Sequence, residues 1–144
     1  MKTILQHAMT LVGIGALAVG CVAQESTEQL GLGEQAFTLS KQTIALSTGI
    51  TMAYQELGDT AGTPVIFLHG YTDTGRSFAP TVQALLAINP HLHVFVLDQR
   101  GHGASSMPPA AQCASAPELC FRPSDMAGDA IAFMNQKGLS TATF

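Results

Sequence analysis

The chain has 144 residues, of which 47% are hydrophobic and only 11% are charged. This length allows one domain of modest size with a hydrophobic core of its own. The formal net charge is −4, so no excess of basic residues is present, and this argues against nucleic acid as a partner.

Residues 1–23 have the pattern of a bacterial signal peptide. Lys2 gives a positive start, and an uncharged, mostly apolar stretch follows from Ala8 to Gly20. A helix of that length rises about 20 Å, which is short of the roughly 30 Å hydrocarbon core of a membrane. The sequence therefore predicts export rather than a membrane span, and residues 24–35, which are polar, are predicted to form a tether.

Two cleavage sites remain open for this signal peptide. Residues 16–21, ALAVGC, resemble a lipoprotein cleavage box, in which Cys21 would carry the lipid anchor. Ala18 stands where that box usually has Leu, and the alternative is ordinary cleavage after Ala23. The first site predicts a membrane-anchored lipoprotein, and the second predicts a periplasmic or secreted protein.

From Ala36 onward the sequence predicts one α/β domain that extends to residue 144. Two strands are expected around a turn at residues 47–49. Two short apolar runs, Pro64–Leu68 and Leu92–Leu97, are typical of parallel strands that are covered on both faces. The chain is expected to open a further buried strand at residues 142–144.

A first helix is predicted between the two apolar strands. Ser77 could cap its start, Pro80 is tolerated in its first turn, and Asn89 ends it before a proline. Its apolar face is predicted from four residues at helical spacing: Phe78, Val82, Leu85 and Leu86.

Two cysteines lie in an Ala- and Pro-rich loop before the next helix. Cys113 and Cys120 have six residues between them. In an oxidising compartment we expect them to form a disulfide, and the alternative is two free thiols. A zinc site is not favoured, because no His or second Cys pair flanks the loop at ligand spacing.

A second helix is predicted from about Ser124 to Lys137. Ser124 is a good N-cap, Asp125 and Lys137 suit the two ends of the helix dipole, and Gly138 ends the helix. Its buried stripe is predicted as Met126, Ala130, Ile131 and Met134. Strands that alternate with helices indicate a mostly parallel sheet with an N-terminal hairpin and helices on both faces.

Each apolar strand is followed by a turn rich in Gly and polar residues. His69–Gly75 reads HGYTDTG, and Asp98–Ser105 reads DQRGHGAS. Together they resemble the α/β-hydrolase fold, in the group with a His-Gly turn after the third strand and an Asp-x-Arg-Gly-x-Gly-x-Ser turn after the fourth. The resemblance covers about residues 36–144 and implies a partial α/β-hydrolase sheet.

The resemblance also implies roles for residues of the two turns. In this family the His-Gly turn helps to form the oxyanion hole, which would make the backbone N–H of Tyr71 one donor. Gly70 would allow a sharp turn, and His69 would shape the loop. The second turn would be structural, through Asp98, Arg100, Gly101 and Gly103. No cofactor is implied.

The residues themselves argue against other sites. GHGASS, residues 101–106, partly matches a dinucleotide-binding pattern, but Ser106 stands where a third Gly is required. His91 and His93 could share one face of a strand, whereas Asp98 would point to the other face from His93. We therefore predict no metal site.

In the resembled family, the next strand ends in Gly-x-Ser-x-Gly, which holds the nucleophile. Residues 140–144, STATF, resemble that strand, and the chain is expected to end before the nucleophile, the acid and the His. We interpret it as the N-terminal part of an exported serine esterase or acyl hydrolase, inactive alone. Its substrate would be a small ester-like molecule, and the downstream half of the same protein could be its partner.

Two alternatives to this interpretation stay open. An Asp nucleophile would indicate an enzyme similar to epoxide hydrolases or dehalogenases. The second alternative is a complete envelope protein that has no catalytic activity and serves as an interaction module.

Overall fold

The computed structural model describes residues 41–113 and 116–144. The predicted signal peptide, Cys21, the tether at 24–35 and the predicted start of the domain at Ala36 lie outside the described residues. Among the helices of the described ranges, none is long and apolar enough to span a membrane.

Within the described ranges, four strands form one mixed sheet in the order β1-β2-β4-β3. The strands are β1 (Gln42–Ala45), β2 (Thr51–Gly58), β3 (Thr63–Leu68) and β4 (Leu92–Leu97). The predicted hairpin is confirmed, since β1 and β2 are antiparallel, and the predicted parallel pair is confirmed in β3 and β4. The sheet is mixed because β2 also pairs antiparallel with β4.

A short segment at Thr143 extends the sheet beyond β3. Thr143 forms a parallel bridge with Val65, in which the Ile66 N–H donates to the Thr143 carbonyl at 2.8 Å. The Thr143 N–H donates in turn to the Pro64 carbonyl at 3.0 Å. The pairing agrees with the predicted strand. The prediction that this strand is buried is wrong, because Phe144 is 64% exposed.

Helices cover both faces of the sheet, as predicted. They are α1 (Ala79–Ile88), the single turn α2 (Ala110–Cys113) and α3 (Pro123–Lys137), with 3-10 turns at Gly75–Phe78 and Pro117–Phe121. Successive residues of β4 point to opposite faces. Val94 packs in a cluster with Val82 of α1, whereas Phe95 packs in a cluster with Phe133 of α3. Every residue of β4 is buried as a result.

The predicted N-caps of both long helices are wrong, whereas the predicted ends at Asn89 and Gly138 are confirmed as C-caps. Gly75–Phe78 forms a 3-10 turn before α1, and the Ser77 hydroxyl donates to the Thr74 carbonyl at 3.0 Å instead of capping the helix. Helix α3 begins at Pro123, one residue before Ser124, and its N-cap residue is Arg122, whose side chain makes no capping hydrogen bond. Proline at a first helical position is already set to the helical φ, so a capping hydroxyl is not required there.

The predicted apolar face of α1 is confirmed, but the buried stripe of α3 is wrong at one position. Ile131 is 59% exposed, whereas Phe133 is fully buried. The Phe133 ring lies 5.1 Å from the Tyr54 ring and 5.4 Å from the Phe95 ring, centroid to centroid. This aromatic contact fixes the rotation of α3, which turns Ile131 away from the sheet.

Candidate active site

The two motif turns lie side by side at one edge of the sheet. In the register of β3 and β4, Leu68 is opposite Leu97, so His69 and Asp98 follow at the same level. Neighbouring parallel strands end at one edge, and binding sites of α/β proteins collect there. The Gln99 N–H donates to His69 Nε2 at 2.9 Å and joins the two turns directly.

His69 is locked in place by bonds at both ring nitrogens. The ring is 3% exposed, and its Nδ1 lies 2.8 Å from the Gly70 carbonyl. A carbonyl can only accept, so Nδ1 carries the proton and Nε2 accepts from Gln99. The Gln99 side-chain amide also donates to the His69 carbonyl. With both nitrogens engaged, His69 shapes the loop and is not placed to move a proton.

The loop after His69 contains an unusual backbone conformation, at a residue that the sequence did not indicate. Thr72 has a φ of 70°, which is rare for a β-branched residue. Gly70 does not have a positive φ, and a Cβ built there meets nothing within 4 Å. Neither a positive φ nor a close contact therefore requires glycine at position 70, and the strained position of this loop is Thr72.

Tyr71 lies between these two residues with its side chain 78% exposed. Among the described residues, no acceptor is hydrogen-bonded to the Tyr71 N–H. The Asp73 N–H donates to the Gly70 carbonyl at 3.3 Å, and the Thr74 N–H donates to Asp73 Oδ1 at 2.7 Å. The loop is thus held on both sides of Tyr71, while the Tyr71 N–H can donate to a ligand.

Asp98 is an acceptor that ties the second turn to the first. Its carboxylate is 1% exposed and accepts from the Gly75 N–H at 3.0 Å, the Ala104 N–H at 2.9 Å and Lys41 Nζ at 2.5 Å. Burial raises the pKa of Asp98, but the Lys41 ammonium and the two N–H groups outweigh it and hold the pKa below its usual range. Asp98 is therefore an ionised part of the scaffold.

The two glycines of the second turn are required by close contacts. Gly101 and Gly103 have φ values of 70° and 54°. A Cβ at Gly103 would lie 2.1 Å from Asp98 Oδ2, and a Cβ at Gly101 would lie 2.7 Å from Phe121 Cε1. Only glycine allows the turn to close over the Asp98 carboxylate and against the Phe121 ring.

Arg100 joins this turn to α3 and to the disulfide loop. Its Nε and Nη2 donate to the two oxygens of Asp129 at 2.7 and 2.8 Å, and its Nη1 donates to the Cys120 carbonyl at 3.0 Å. Thr48 Oγ1 donates to Asp129 at 2.6 Å. The bond to Asp129 raises the pKa of Arg100, against the effect of burial. The Arg100–Asp129 pair therefore holds the second turn rigidly against α3.

Cys113 and Cys120 are joined by a disulfide, with their Cα atoms 5.4 Å apart. Cys120 is buried, and its carbonyl is the one that Arg100 binds. The loop is therefore attached to the second turn both by packing and by a hydrogen bond.

A cavity of about 530 Å³ opens near the start of α3 rather than at Tyr71. It is lined by Thr48, Arg100, Leu119, Arg122, Ser124, Asp125 and Gly128. Its two guanidinium groups are already paired, Arg100 with Asp129 and Arg122 with Asp125 at 2.8 Å. We assign no ligand to this cavity.

His91 precedes β4, and His93 lies within it. His93 Nε2 lies 2.7 Å from Glu56 Oε1, and His91 is exposed. In residues 41–113 and 116–144, no group of three or more His, Cys, Asp or Glu side chains is arranged to hold a metal ion.

The sequence motifs did not indicate three residues that lie in or contact the two turns: Thr72, Asp129 and His102. Asp129 had a visible signal, because it is a charged residue next to Ala130 on the apolar side of α3. Thr72 had none, since threonine disfavours the conformation it adopts. The ring of His102 contacts those of His69 and Tyr71, which only the folded arrangement shows.

The model of the alpha/beta hydrolase fold family matches residues 63–143, which is more than half of the chain. Bifunctional epoxide hydrolase 2 of Sus scrofa is 29% identical over 106 residues, or 74% of this chain and 17% of that protein. A candidate non-heme chloroperoxidase of Synechocystis sp. is 39% identical over 62 residues, or 43% of this chain and 21% of that protein.

Solved structures agree with this match. A candidate epoxide hydrolase from Klebsiella pneumoniae superposes with a TM-score of 0.60 at 27% identity, over 72% of this chain and 32% of that one. An esterase from Exiguobacterium antarcticum has a TM-score of 0.57 at 24% identity, over 72% and 34%, and supports the fold alone. The chain spans only 17% to 21% of the length of the curated relatives. The family match and the shared fold show that this chain belongs to the alpha/beta hydrolase fold family.

Proposed function

We propose that this chain supplies the oxyanion-binding part of an exported hydrolase that transfers the acyl group of a small ester to water. The observation that carries the proposal is the Tyr71 N–H, which has no acceptor among the described residues and lies at the carboxyl ends of β3 and β4. The bonded His69 fixes the start of this loop, and Thr72, next to Tyr71, has a strained backbone. Such strain is concentrated at functional sites.

The chemistry requires donors that are oriented before the reaction begins. When a nucleophile attacks an ester carbon, negative charge develops on the carbonyl oxygen. An N–H group that is already fixed stabilises this charge without reorganising, which is why oxyanion holes use backbone donors. The Tyr71 N–H would be one donor. Asp98, paired with Lys41, and Arg100, paired with Asp129, would hold the neighbouring turn in place.

The nucleophile must come from outside the 144 residues under this proposal. The sequence contains no Gly-x-Ser-x-Gly turn. The Ser, the acid and the His would therefore be supplied by a downstream segment of the same protein, either in one chain or as a separate partner. We further propose the division into residues 1–23, 24–35 and 36–144 as signal peptide, tether and partial hydrolase domain.

Epoxide hydrolysis is the second candidate activity. It is favoured by the relatives, since both the Sus scrofa protein and the Klebsiella pneumoniae structure are named for that reaction. An Asp at the nucleophile position would indicate an epoxide hydrolase or a dehalogenase-like enzyme. The described residues serve either chemistry, so the substrate distinguishes them.

The proposal is tested by expressing the open reading frame that encodes this chain through its stop codon. We expect the product to hydrolyse a p-nitrophenyl ester and to be labelled on serine by a fluorophosphonate. Preferential opening of styrene oxide, without serine labelling, would favour the second candidate. A folded product inactive towards both substrates would contradict the enzyme proposal and favour the interaction module. The 144-residue chain alone is the matched control and should be inactive.

Export is proposed separately, as a lipoprotein anchored through Cys21. Labelled palmitate should appear on the chain in the expressing bacterium and should be lost in Cys21→Ala. Labelling that is equal in both proteins, or absent from both, would contradict lipidation at this residue.

A further inference from the structure

The ring of His102 contacts two residues of the candidate oxyanion loop, residues 69–74: His69, which is buried, and Tyr71, which is exposed. Its centroid is 5.1 Å from that of His69 and 5.9 Å from that of Tyr71, with edge-on angles of 64° and 74°. The Phe121 ring also contacts the His102 ring, with centroids 6.4 Å apart and an interplanar angle of 88°. Edge-to-face contacts at such distances are favourable. Among the described rings, His102 is the one that contacts Tyr71.

The His102 ring is held in one orientation by its own turn. His102 Nδ1 lies 2.8 Å from the Arg100 carbonyl, which can only accept, so Nδ1 is protonated. The His102 N–H donates to the Gln99 carbonyl at 3.0 Å, and the His102 carbonyl accepts from the Ser105 N–H at 3.0 Å. Ring and backbone are therefore both fixed.

The second turn, which carries His102, is itself rigid. Arg100 is bound to Asp129 by two hydrogen bonds, and Gly103 closes over the Asp98 carboxylate. A side chain on such a support can hold a neighbouring loop in place.

The loop that His102 contacts needs external support. Thr72 has a left-handed conformation that its own side chain disfavours. Tyr71 is mostly exposed, so few other contacts hold it. Without a neighbour, the loop could relax at Thr72 and turn the Tyr71 N–H away from its present direction.

We propose that His102 is a positioning residue for the oxyanion donor, acting through the Tyr71 ring. This inference rests on the proposed function, since it assigns His102 to the same site. His102 does not touch the reacting atoms in this account. It would keep the Tyr71 N–H directed at the position where negative charge develops on the carbonyl oxygen of the ester.

The loop itself can be tested without catalysis, because the chain has only two tyrosines. Labelling with 15N-tyrosine should give two amide signals, and loss of one signal in Tyr71→Phe assigns it. We expect a rigid Tyr71 amide, with an order parameter of about 0.85, that falls below about 0.6 in His102→Ala. The Tyr54 signal reports on the core and should not move.

Two further variants separate the ring from the hydrogen bond. His102→Phe keeps an aromatic ring but loses the Nδ1 donor, whereas His102→Gln keeps a donor but loses the ring. We expect Tyr71 to stay rigid in His102→Phe and to become mobile in His102→Gln. The reverse order would contradict the proposal, even if His102→Ala failed to fold. His91→Ala, at the residue before β4 and at the opposite end of that strand from His102, is the control and should change neither signal.

An activity measurement distinguishes failure of this inference from failure of the proposed function. In the product of the whole reading frame, His102→Ala should lower kcat about tenfold with KM nearly unchanged, and His102→Phe should recover most of it. Ester hydrolysis with a Tyr71 amide that is unaffected by His102→Ala would overturn the inference alone. A mobile Tyr71 in His102→Ala, in a product without hydrolase activity, would overturn the proposed function alone.

Discussion

At the scale of single residues, the charges of the second turn stabilise the fold and are not placed for chemistry. Asp98 would attract attention as an acid after a strand, but its oxygens accept from Gly75, Ala104 and Lys41. Arg100 is likewise occupied by Asp129 and the Cys120 carbonyl. Both residues were assigned structural roles by resemblance, and the contacts now give those roles a physical cause.

Asp98→Asn should lower the free energy of unfolding by about 1–3 kcal/mol at pH 7. The new amide would point an N–H toward a backbone donor and leave that donor unsatisfied. Urea unfolding measures the change as a lower midpoint at constant slope. Asp59→Asn is the control, because Asp59 is exposed, and should have an effect within about 0.5 kcal/mol. Equal effects of the two substitutions would contradict the role of Asp98.

Two glycine substitutions should have opposite signs. Gly103→Ala should destabilise the protein, because its Cβ would overlap Asp98 and its φ is positive. Gly128→Ala should stabilise it by about 0.5–1 kcal/mol, since that Cβ meets nothing within 4 Å inside a helix. Thermal unfolding of both variants tests this pair, and a stabilised Gly103→Ala would show that the turn is not closed as described.

At the scale of elements, the strands were more predictable from sequence than the helix boundaries. The run Leu92–Leu97 matches β4 at both ends, because a strand covered on two faces is apolar throughout. Ser77 and Ser124 failed as caps because other local solutions, a 3-10 turn and a proline, compete with a hydroxyl cap. Local signals decide that an element exists, and neighbouring residues decide where it starts.

The end of α3 is attached to the sheet by an ion pair. Lys137 Nζ donates to Glu56 Oε2 at 2.7 Å and lies 5.1 Å from the centre of the Tyr54 ring. Burial raises the pKa of Glu56, but the bonds from Lys137 and His93 outweigh it and lower the pKa. The folded state therefore binds this proton less tightly than the unfolded state does.

Glu56→Gln should cost about 1 kcal/mol of stability at pH 7. Because the pKa is lowered on folding, the contribution of Glu56 is complete above its unfolded pKa of about 4.3 and is lost as the pH falls through the folded value. The difference from wild type should therefore shrink from pH 7 to pH 3. Glu118→Gln, at an exposed site, should show no such change. A difference that is constant with pH would contradict the ion pair.

The disulfide between Cys113 and Cys120 can be tested by counting free thiols. In Cys21→Ala, only Cys113 and Cys120 remain of the three cysteines. We expect no free thiol in the denatured protein before reduction and two after it, because the structure joins the pair. Two free thiols without reductant in the exported protein would contradict the disulfide.

At the scale of the whole molecule, sequence reasoning reached the fold but not the network that connects its parts. The hairpin, the parallel pair and the two covering helices follow from hydrophobic patterns. The contact of Thr48 and Arg100 with Asp129 joins the hairpin, the second turn and α3 across 81 and 29 residues. Pairings at such separations depend on the folded arrangement, and the periodicity of single segments does not contain them.

The site was predicted in part for the same reason. The motif located Tyr71 and both turns, since residues after parallel strands share one edge. It drew attention to Gly70, because glycine is the usual residue where a chain turns sharply, whereas the positive φ of this loop is at Thr72. The role inferred for His102 depends on ring contacts between the two turns, which no single motif shows.

The most direct test of the central claim is to remove the Tyr71 N–H from the product of the whole reading frame. Tyr71→Pro removes this donor, whereas Tyr71→Phe keeps it and changes only the ring hydroxyl. Ester hydrolysis should fall about 100- to 1000-fold in Tyr71→Pro and change little in Tyr71→Phe, with both proteins folded. If folded Tyr71→Pro hydrolysed esters at the wild-type rate, Tyr71 would not be the oxyanion donor.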